Sequence, residues 1–308
     1  MRILITGSSG LIGTNVGLAL LDRGDTVLGI DRRDNPWTDR IETVKHDLAA
    51  GGLDGRPGDE RFDLVLHLAA NAKVYELVEH PDRAMDNITI AFNALDYCRT
   101  HGTPIVFASS REVYGDIHRH VTDEAAADFV VAESPYSASK IAAEAMIYAY
   151  GQCYDLPYLV FRFSNVYGRY DTDAERLERV IPLFIDRIAR DEPIVVYGKD
   201  KVLDFTYVDD CVAGVLAGID ALAARRVVGQ TINLAQGHGN TLVDVVNIAA
   251  LALGKRPSVR YEPARRGEVT RYVADISKAR TLLGYEPNVP LSSGLVKAVA
   301  WAQEAAGR

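Results

Sequence analysis

At 308 residues, with 48% hydrophobic and 25% charged side chains, the chain can bury a large core and has the make-up of an ordinary globular protein. A formal net charge of -8 at pH 7, with no basic run, argues against nucleic acid as a partner. No apolar stretch reaches the roughly eighteen residues of a membrane span, and the N-terminus enters a strand without a signal-peptide pattern, so a cytoplasmic protein is expected. Cys98, Cys153 and Cys211 are odd in number and far apart, which suggests reduced thiols and neither a disulfide framework nor a metal site.

Residues 2–6, Arg-Ile-Leu-Ile-Thr, form an apolar run of strand length. Gly7, Gly10 and Gly13 follow at G-x-x-G-x-x-G spacing, enclosing Leu11 and Ile12, and a helical pattern runs over 11–23. Glycines let a backbone turn sharply and approach a pyrophosphate, and the free N–H groups at a helix start favour an anion. Such a turn can also be only a turn. The next strand, 26–31, ends at Asp31, eighteen residues after Gly13, where an acid can hydrogen-bond an adenosine ribose. Arg32 and Arg33 could accept a 2′-phosphate, but Asp31 would repel it, so NAD is expected rather than NADP.

Further strands are predicted over 41–45, 62–67, 104–109 and 157–163, and helices over 83–101 and 136–152. The Gly- and Asp-rich stretch 50–61 reads as a surface loop. This alternation implies an α/β fold built on a doubly wound parallel sheet. After about residue 165 the pattern loosens into a helix over 178–190, a strand Ile194–Tyr197 and helices over 208–223, 241–253 and 290–304. The expected organisation is a nucleotide-binding domain over 1–165, to which some later segments return, and a smaller C-terminal α/β substrate lobe over 166–308. The site is expected in the cleft between them.

Tyr136 and Lys140 lie four residues apart on a helix that Pro135 is suited to start, so they share a face. A tyrosine is a poor base near neutral pH unless a cation favours its phenolate, and Lys140 is placed to act in this way. The same spacing can arise between unrelated surface residues. Upstream, however, the apolar run Ile105–Ala108 ends in Ser109-Ser110-Arg111-Glu112-Val113-Tyr114-Gly115, which sets hydroxyl groups at the carboxyl edge of a sheet. His67 closes an apolar strand, and Tyr114 and Tyr167 lie beside glycines. A structural role is expected for these three.

Together these segments resemble the extended short-chain dehydrogenase/reductases that modify nucleotide sugars, the UDP-glucose 4-epimerase-like enzymes among them. The resemblance covers nearly the whole chain. Its motifs are the glycine turn, Asp47-Leu48, His67-Leu68-Ala69-Ala70, Ser109 to Gly115, Tyr136 with Lys140, Arg162-Phe163-Ser164-Asn165-Val166-Tyr167-Gly168, Asp204 to Asp210, and Asp275-Ile276-Ser277-Lys278-Ala279. The resemblance implies a Rossmann-type domain with bound NAD. Ser110 would bond the sugar 4-hydroxyl, Tyr136 would take its proton, and Lys140 would hold the nicotinamide ribose and lower the tyrosine pKa. Asp47 and Leu48 would flank the adenine, Asp31 its ribose, and Leu68, Ala69 and Ala70 the dinucleotide groove. Asn165 and Arg265, the latter in Arg265-Arg266-Gly267-Glu268, match positions that contact the substrate diphosphate; a capping side chain and a solvated charge are the plainer readings of the two. A homodimer through the helices over 83–101 and 136–152 is expected by the same analogy.

Two positions depart from the family pattern. Leu203 stands where an arginine often precedes the D-F-T-Y-V segment, with Lys199 and Lys201 nearby. Arg111-Glu112 stands where 4,6-dehydratases carry Asp-Glu, and an arginine cannot donate the proton that the acid supplies. A guanidinium can instead bind a carboxylate, which points to a UDP-hexuronate such as UDP-glucuronate, or Arg111 can simply pair with Glu112. Three reactions share C4 oxidation as their first step: 4-epimerization, 4,6-dehydration and, for a uronic acid, decarboxylation. Epimerization is the expected outcome, with dehydration or decarboxylation through Glu112 as the alternative. A dinucleotide sensor without chemistry would commonly lack the Tyr-Lys pair, and a simple alcohol dehydrogenase would release its NADH.

Overall fold

The computed structural model describes residues 1–53, 61–114, 132–171, 179–265 and 269–306. Part of the predicted loop 50–61, the first residue of the helix predicted over 178–190, Gly115 and Arg266-Gly267-Glu268 lie outside the described residues.

Strands β1 (Arg2–Thr6), β2 (Thr26–Asp31), β3 (Glu42–Lys45), β4 (Leu64–His67), β5 (Ile105–Ser110) and β6 (Tyr158–Phe163) fall where the apolar runs place them. Both faces of β1 are covered: Ile3 and Ile5 join one core cluster and Leu4 the other, none of them exposed. Burial on both faces explains why the run is continuously apolar rather than alternating. Helix α1 (Leu11–Asp22) packs on one face, while α3 (Asp82–His101) and α4 (Pro135–Tyr154) pack against each other and contribute to the other core cluster. Between β4 and α3 lies a one-and-a-half-turn helix, α2 (Val74–Glu79). Helix α4 starts on a reciprocal capping box between Ser134 and Ser137 with Pro135 at its first position, which satisfies the first free N–H groups.

The main sheet is seven-stranded and parallel, in the order β10-β6-β5-β4-β1-β2-β3, where β10 is Gln230–Leu234. The chain runs outward from β1 to β3 and then returns to lay β4 on the opposite side of β1. Thr6 there pairs in register with His67. A crevice opens at such a reversal, beyond the carboxyl ends of the strands, and Gly7 and Leu68 stand at its mouth.

The later residues build a second layer of short elements. Strands β7 (Asn165–Tyr167) and β9 (Val202–Tyr207) pair in parallel, and β11 (Gly239–Thr241) adds antiparallel to β9. Strand β8 (Ile194–Tyr197) pairs with β12 (Val259–Glu262). Helices α5 (Val180–Ala189), α7 (Leu242–Leu253), α8 (Ser277–Leu283) and α9 (Leu291–Ala306) complete this part, while α6 (Val208–Ala223) packs on α1. No described helix is long and apolar enough to cross a membrane.

Candidate active site

The glycine turn is built for close approach. Gly7 has φ +76°, and a Cβ on it would lie 2.8 Å from the Ala69 nitrogen and 2.9 Å from the Leu68 carbonyl carbon. A Cβ on Gly13 would collide with the Gly7 carbonyl oxygen. The turn therefore lies flat against the Leu68-Ala69 backbone, Ala69 and Ala70 being half-buried there, and Leu11 and Ile12 pack on the main core behind it. Asp31 Oδ2 accepts the Ser9 N–H at 3.0 Å and Oδ1 the Arg33 N–H at 3.1 Å, so the acid at the end of β2 is fixed to the glycine turn itself. Arg32 reaches across the crevice to Asn71 Oδ1 at 3.3 Å. A carboxylate placed for a ribose, a glycine turn and a helix start fit a dinucleotide. Asp47 is exposed and makes a local turn, accepting the Ala49 N–H at 2.9 Å. The Leu48 side chain lies in the core cluster beneath α3 and is 4% exposed.

The second group of residues stands at the end of β5. The Ser110 hydroxyl accepts the Glu112 N–H at 3.2 Å and stands near enough to the Tyr136 phenol to lower its pKa. A single 3-10 turn, Arg111–Tyr114, follows. Lys140, one turn beyond Tyr136 on α4, donates to the Ala108 carbonyl at 2.9 Å, and its Nζ is 5.9 Å from the Tyr136 ring centroid. Burial pushes the Tyr136 phenol up to about 12; the Ser110 hydroxyl and the cations Arg111 and Arg179 oppose this, while Glu112 adds to it. Burial pulls Lys140 down to about 8, and Glu144 holds it up. Tyr136 thus rests as a phenol whose oxygen and the Ser110 hydroxyl form one pair that a substrate hydroxyl can join. The depression of the tyrosine pKa expected from Lys140 is not a feature of this resting arrangement: burial raises it, and the cations that oppose the rise are Arg111 and Arg179.

Arg111 Nη2 pairs with Glu112 Oε1 at 2.9 Å, the Glu112 side chain buried and that of Arg111 nearly so. The guanidinium lies over the Tyr272 ring at 5.7 Å, and its charge lowers the otherwise raised pKa of Asp204. Behind this runs a network that motif reading did not assign. The Glu144 carboxylate accepts the Ser109 hydroxyl, Arg162 Nε at 3.1 Å and Arg162 Nη2 at 2.7 Å, and Arg162 lies 4.7 Å over the Tyr114 ring. Tyr114 in turn donates to Asn233 Oδ1 at 2.8 Å. A visible signal did exist: Glu144 repeats the four-residue spacing of Tyr136 and Lys140 on α4, which sets it on their face.

Asn165 opens β7 and donates to the Asp204 carbonyl at 3.0 Å. Arg265 is exposed, with its guanidinium 4.1 Å from the Tyr197 ring centroid and 5.1 Å from that of Tyr75. It therefore spans from β8 to α2, two elements that motif reading did not connect. Leu203 is buried in the main core within β9, so the place of the missing arginine faces inward.

His67 is fully buried, with Nδ1 2.7 Å from the Thr6 hydroxyl and its ring stacked on Phe107. Burial and then the Lys140 charge lower its pKa from 6.5 to about 3. As pH falls through that window the unfolded chain binds the proton first, so stability is lost from pH 6.5 down to 3, at up to about 1.4 kcal/mol per pH unit. His67→Gln is expected to show a shallower acid limb than the native chain in urea titrations at pH 7 and 4.5. An unchanged limb would assign the acid loss to other groups.

Comparison with known proteins gives the family. The model of the NAD-dependent epimerase/dehydratase family matches residues 3–235. The chain is 30% identical to a UDP-glucuronate 4-epimerase of Thermodesulfobacterium geofontis, over 98% of this chain and 96% of that protein. It is also 30% identical to a UDP-glucose 4-epimerase of Mycolicibacterium smegmatis, over 97% of each. The crystal structure of UDP-glucuronic acid 4-epimerase from Bacillus cereus with UDP-glucuronic acid and NAD superposes with a TM-score of 0.89 at 26% identity, covering 99% of this chain and 100% of that one. With the glycine turn, the parallel sheet and the Ser110, Tyr136 and Lys140 group all in place, the chain belongs to the NAD-dependent epimerase/dehydratase family.

Proposed function

We propose that the protein is an NAD-dependent 4-epimerase of UDP-sugars, an isomerase that inverts C4 of a UDP-hexose or UDP-hexuronate through a transient 4-keto sugar. The observation that carries this is the grouping of Ser110, Tyr136 and Lys140, the Lys140 Nζ bonded to the Ala108 carbonyl of β5 and 5.9 Å from the Tyr136 ring centroid, at the carboxyl edge of the sheet that bears the glycine turn. When bound, NAD accepts the C4 hydride and returns it. Ser110 orients the sugar 4-hydroxyl, Tyr136 takes and gives back its proton, and Lys140 supplies positive charge beside them. Asp31 and the glycine turn hold the adenosine and pyrophosphate; Asn165 and Arg265 receive the substrate diphosphate. The NAD-binding domain ends near residue 165, with Val208–Ala223 and Gln230–Leu234 returning to it.

The Arg111–Glu112 ion pair weighs against dehydration and decarboxylation, because a carboxylate neutralised at 2.9 Å is a poor base. Arg111 Nη1 has no hydrogen-bond partner among the described residues, which leaves a donor for a C6 carboxylate. The test is incubation with UDP-glucose and, separately, UDP-glucuronate, reading product mass and the sugar ring proton couplings. Unchanged mass with altered coupling at H4 is expected, with UDP-glucuronate preferred; loss of water or carbon dioxide would place Glu112 in the chemistry. If Arg111→Ala kept the same preference between the two sugars, the carboxylate role of Arg111 would fall.

We further propose a cytoplasmic homodimer that pairs α3 and α4 with their copies. Met85 and Phe92 on α3 and Tyr148 on α4 are 63%, 44% and 60% exposed, a concentration of large apolar side chains that favours burial against a partner. Phe92→Glu is expected to halve the mass found by light scattering at micromolar concentration. A wild-type chain that is itself monomeric would end this reading. Compartment rests on the three cysteines, none of them disulfide-bonded, and cell fractionation tests it.

A further inference from the structure

The chain has two tryptophans, and they meet. Trp37, between β2 and β3, lies 5.5 Å from Trp301 of α9 and 5.7 Å from Tyr170, and Tyr170 lies 5.8 Å from Trp301. Each ring is half-buried. Three segments far apart in sequence are joined in this way: the connection after β2, the turn after β7 and the C-terminal helix. Tyr170 holds φ +64°, a left-handed backbone that is unfavourable for a ring-bearing residue and persists only where its surroundings hold it.

Both ends of the cluster are anchored. On the cofactor side, the Trp37 backbone N–H donates to Asn35 Oδ1 at 3.0 Å, and Asn35 Nδ2 donates to the Ser8 carbonyl at 3.2 Å and to Thr14 Oγ1 at 3.0 Å. Ser8 is in the glycine turn and Thr14 is in the first turn of α1. Asn15 also donates to the Arg169 carbonyl at 3.2 Å, next to Tyr170. On the other side, Lys297 stands one helical turn before Trp301 on α9, with its Nζ 3.6 Å from Asp209 and 5.2 Å from the Tyr207 ring centroid. Asp209 also pairs with Arg169.

We propose that Trp37, Tyr170 and Trp301 form a clamp that positions the glycine turn for NAD and so keeps the dinucleotide on the protein between turnovers. A turn held in its binding shape before the ligand arrives spares the ordering cost on binding, and that saving appears as affinity. Aromatic contacts of this tilted and edge-on kind are worth enough, beyond their buried area, to set the order of the effect. The three are positioning residues: they act through Asn35 and the turn.

The test measures NAD bound to purified protein after gel filtration and the NAD dissociation constant by calorimetry, for wild type, Trp301→Ala, Trp301→Phe and Leu95→Ala. Leu95 is buried on α3 in the other core cluster and reports general destabilisation. Trp301→Ala is expected to weaken NAD about tenfold, with Trp301→Phe restoring most of the binding and Leu95→Ala binding as the wild type does. Wild-type affinity in Trp301→Ala, or an equal loss in Leu95→Ala, would overturn the clamp. A wild-type chain that bound no NAD at all would overturn the clamp and the cofactor assignment together, whichever sugar is the substrate.

Discussion

Tyr136→Phe is expected to lower kcat by roughly 10²–10⁴-fold, the span that general acid–base groups contribute, while the protein folds and keeps its NAD. The substitution removes one oxygen from a buried ring and nothing from the cradle formed by Gly7, Gly13 and Asp31. Its structural cost is limited to the polar contact of the phenol with the Ser110 hydroxyl, at most about 1 kcal/mol. The loss should fall on kcat rather than KM, since the phenol is needed when the 4-hydroxyl proton moves and contributes little to holding the nucleotide. Circular dichroism, bound NAD and kcat measured on the same preparation decide it. Retention of more than about a tenth of wild-type kcat would move the proton-transfer role away from Tyr136. Ser110→Ala is expected to be milder, because it removes the partner of the phenol and leaves the phenol in place.

Arg162→Met is expected to destabilise the fold by about 3–5 kcal/mol, the cost of leaving a buried charge without its partner. Glu144 would keep only the Ser109 hydroxyl of the partners described above, in a site where its side chain and that of Arg162 are 15% and 8% exposed. Glu144 and Tyr136 share α4, and Ser109 adjoins Ser110, so relaxation around an unpaired Glu144 would displace both members of the Ser110–Tyr136 pair. Urea denaturation gives the stability change. The double variant Glu144→Leu with Arg162→Met should recover most of it, since a buried pair replaced by apolar side chains is often neutral in stability. A single variant within 1 kcal/mol of wild type would mean that water reaches Glu144 and that the pair is an exposed one in practice.

These two residues mark where the sequence was legible and where it was not. Tyr136, Lys140 and Ser110 were visible because each belongs to a local pattern: a four-residue helical spacing after Pro135, and hydroxyls closing an apolar run. Arg162 stood in a quoted motif without a role, because its partner is fixed only when β6 lies beside β5 and α4 folds across them. The strands missed, β7, β9, β10, β11 and β12, are three to six residues long, and such short runs acquire strand geometry from their neighbours rather than from their own pattern. Gln230–Leu234 is the clearest case, since it becomes the edge of the main sheet by pairing with Tyr158–Phe163 across some seventy residues of chain.

By itself the sequence determined the places of the first six strands, the glycine turn against which a dinucleotide fits, and the Ser110, Tyr136 and Lys140 side chains proposed for the chemistry, because periodicity and spacing are local and survive without the fold. The tertiary structure alone decided that Leu48 and Leu203 face the core, that Arg265 lies between two tyrosines, and that Trp37 meets Trp301. Each of these is a contact between segments distant in the chain. Such contacts depend on how sheet and helices pack, and side-chain type alone does not encode which distant surface a residue will meet.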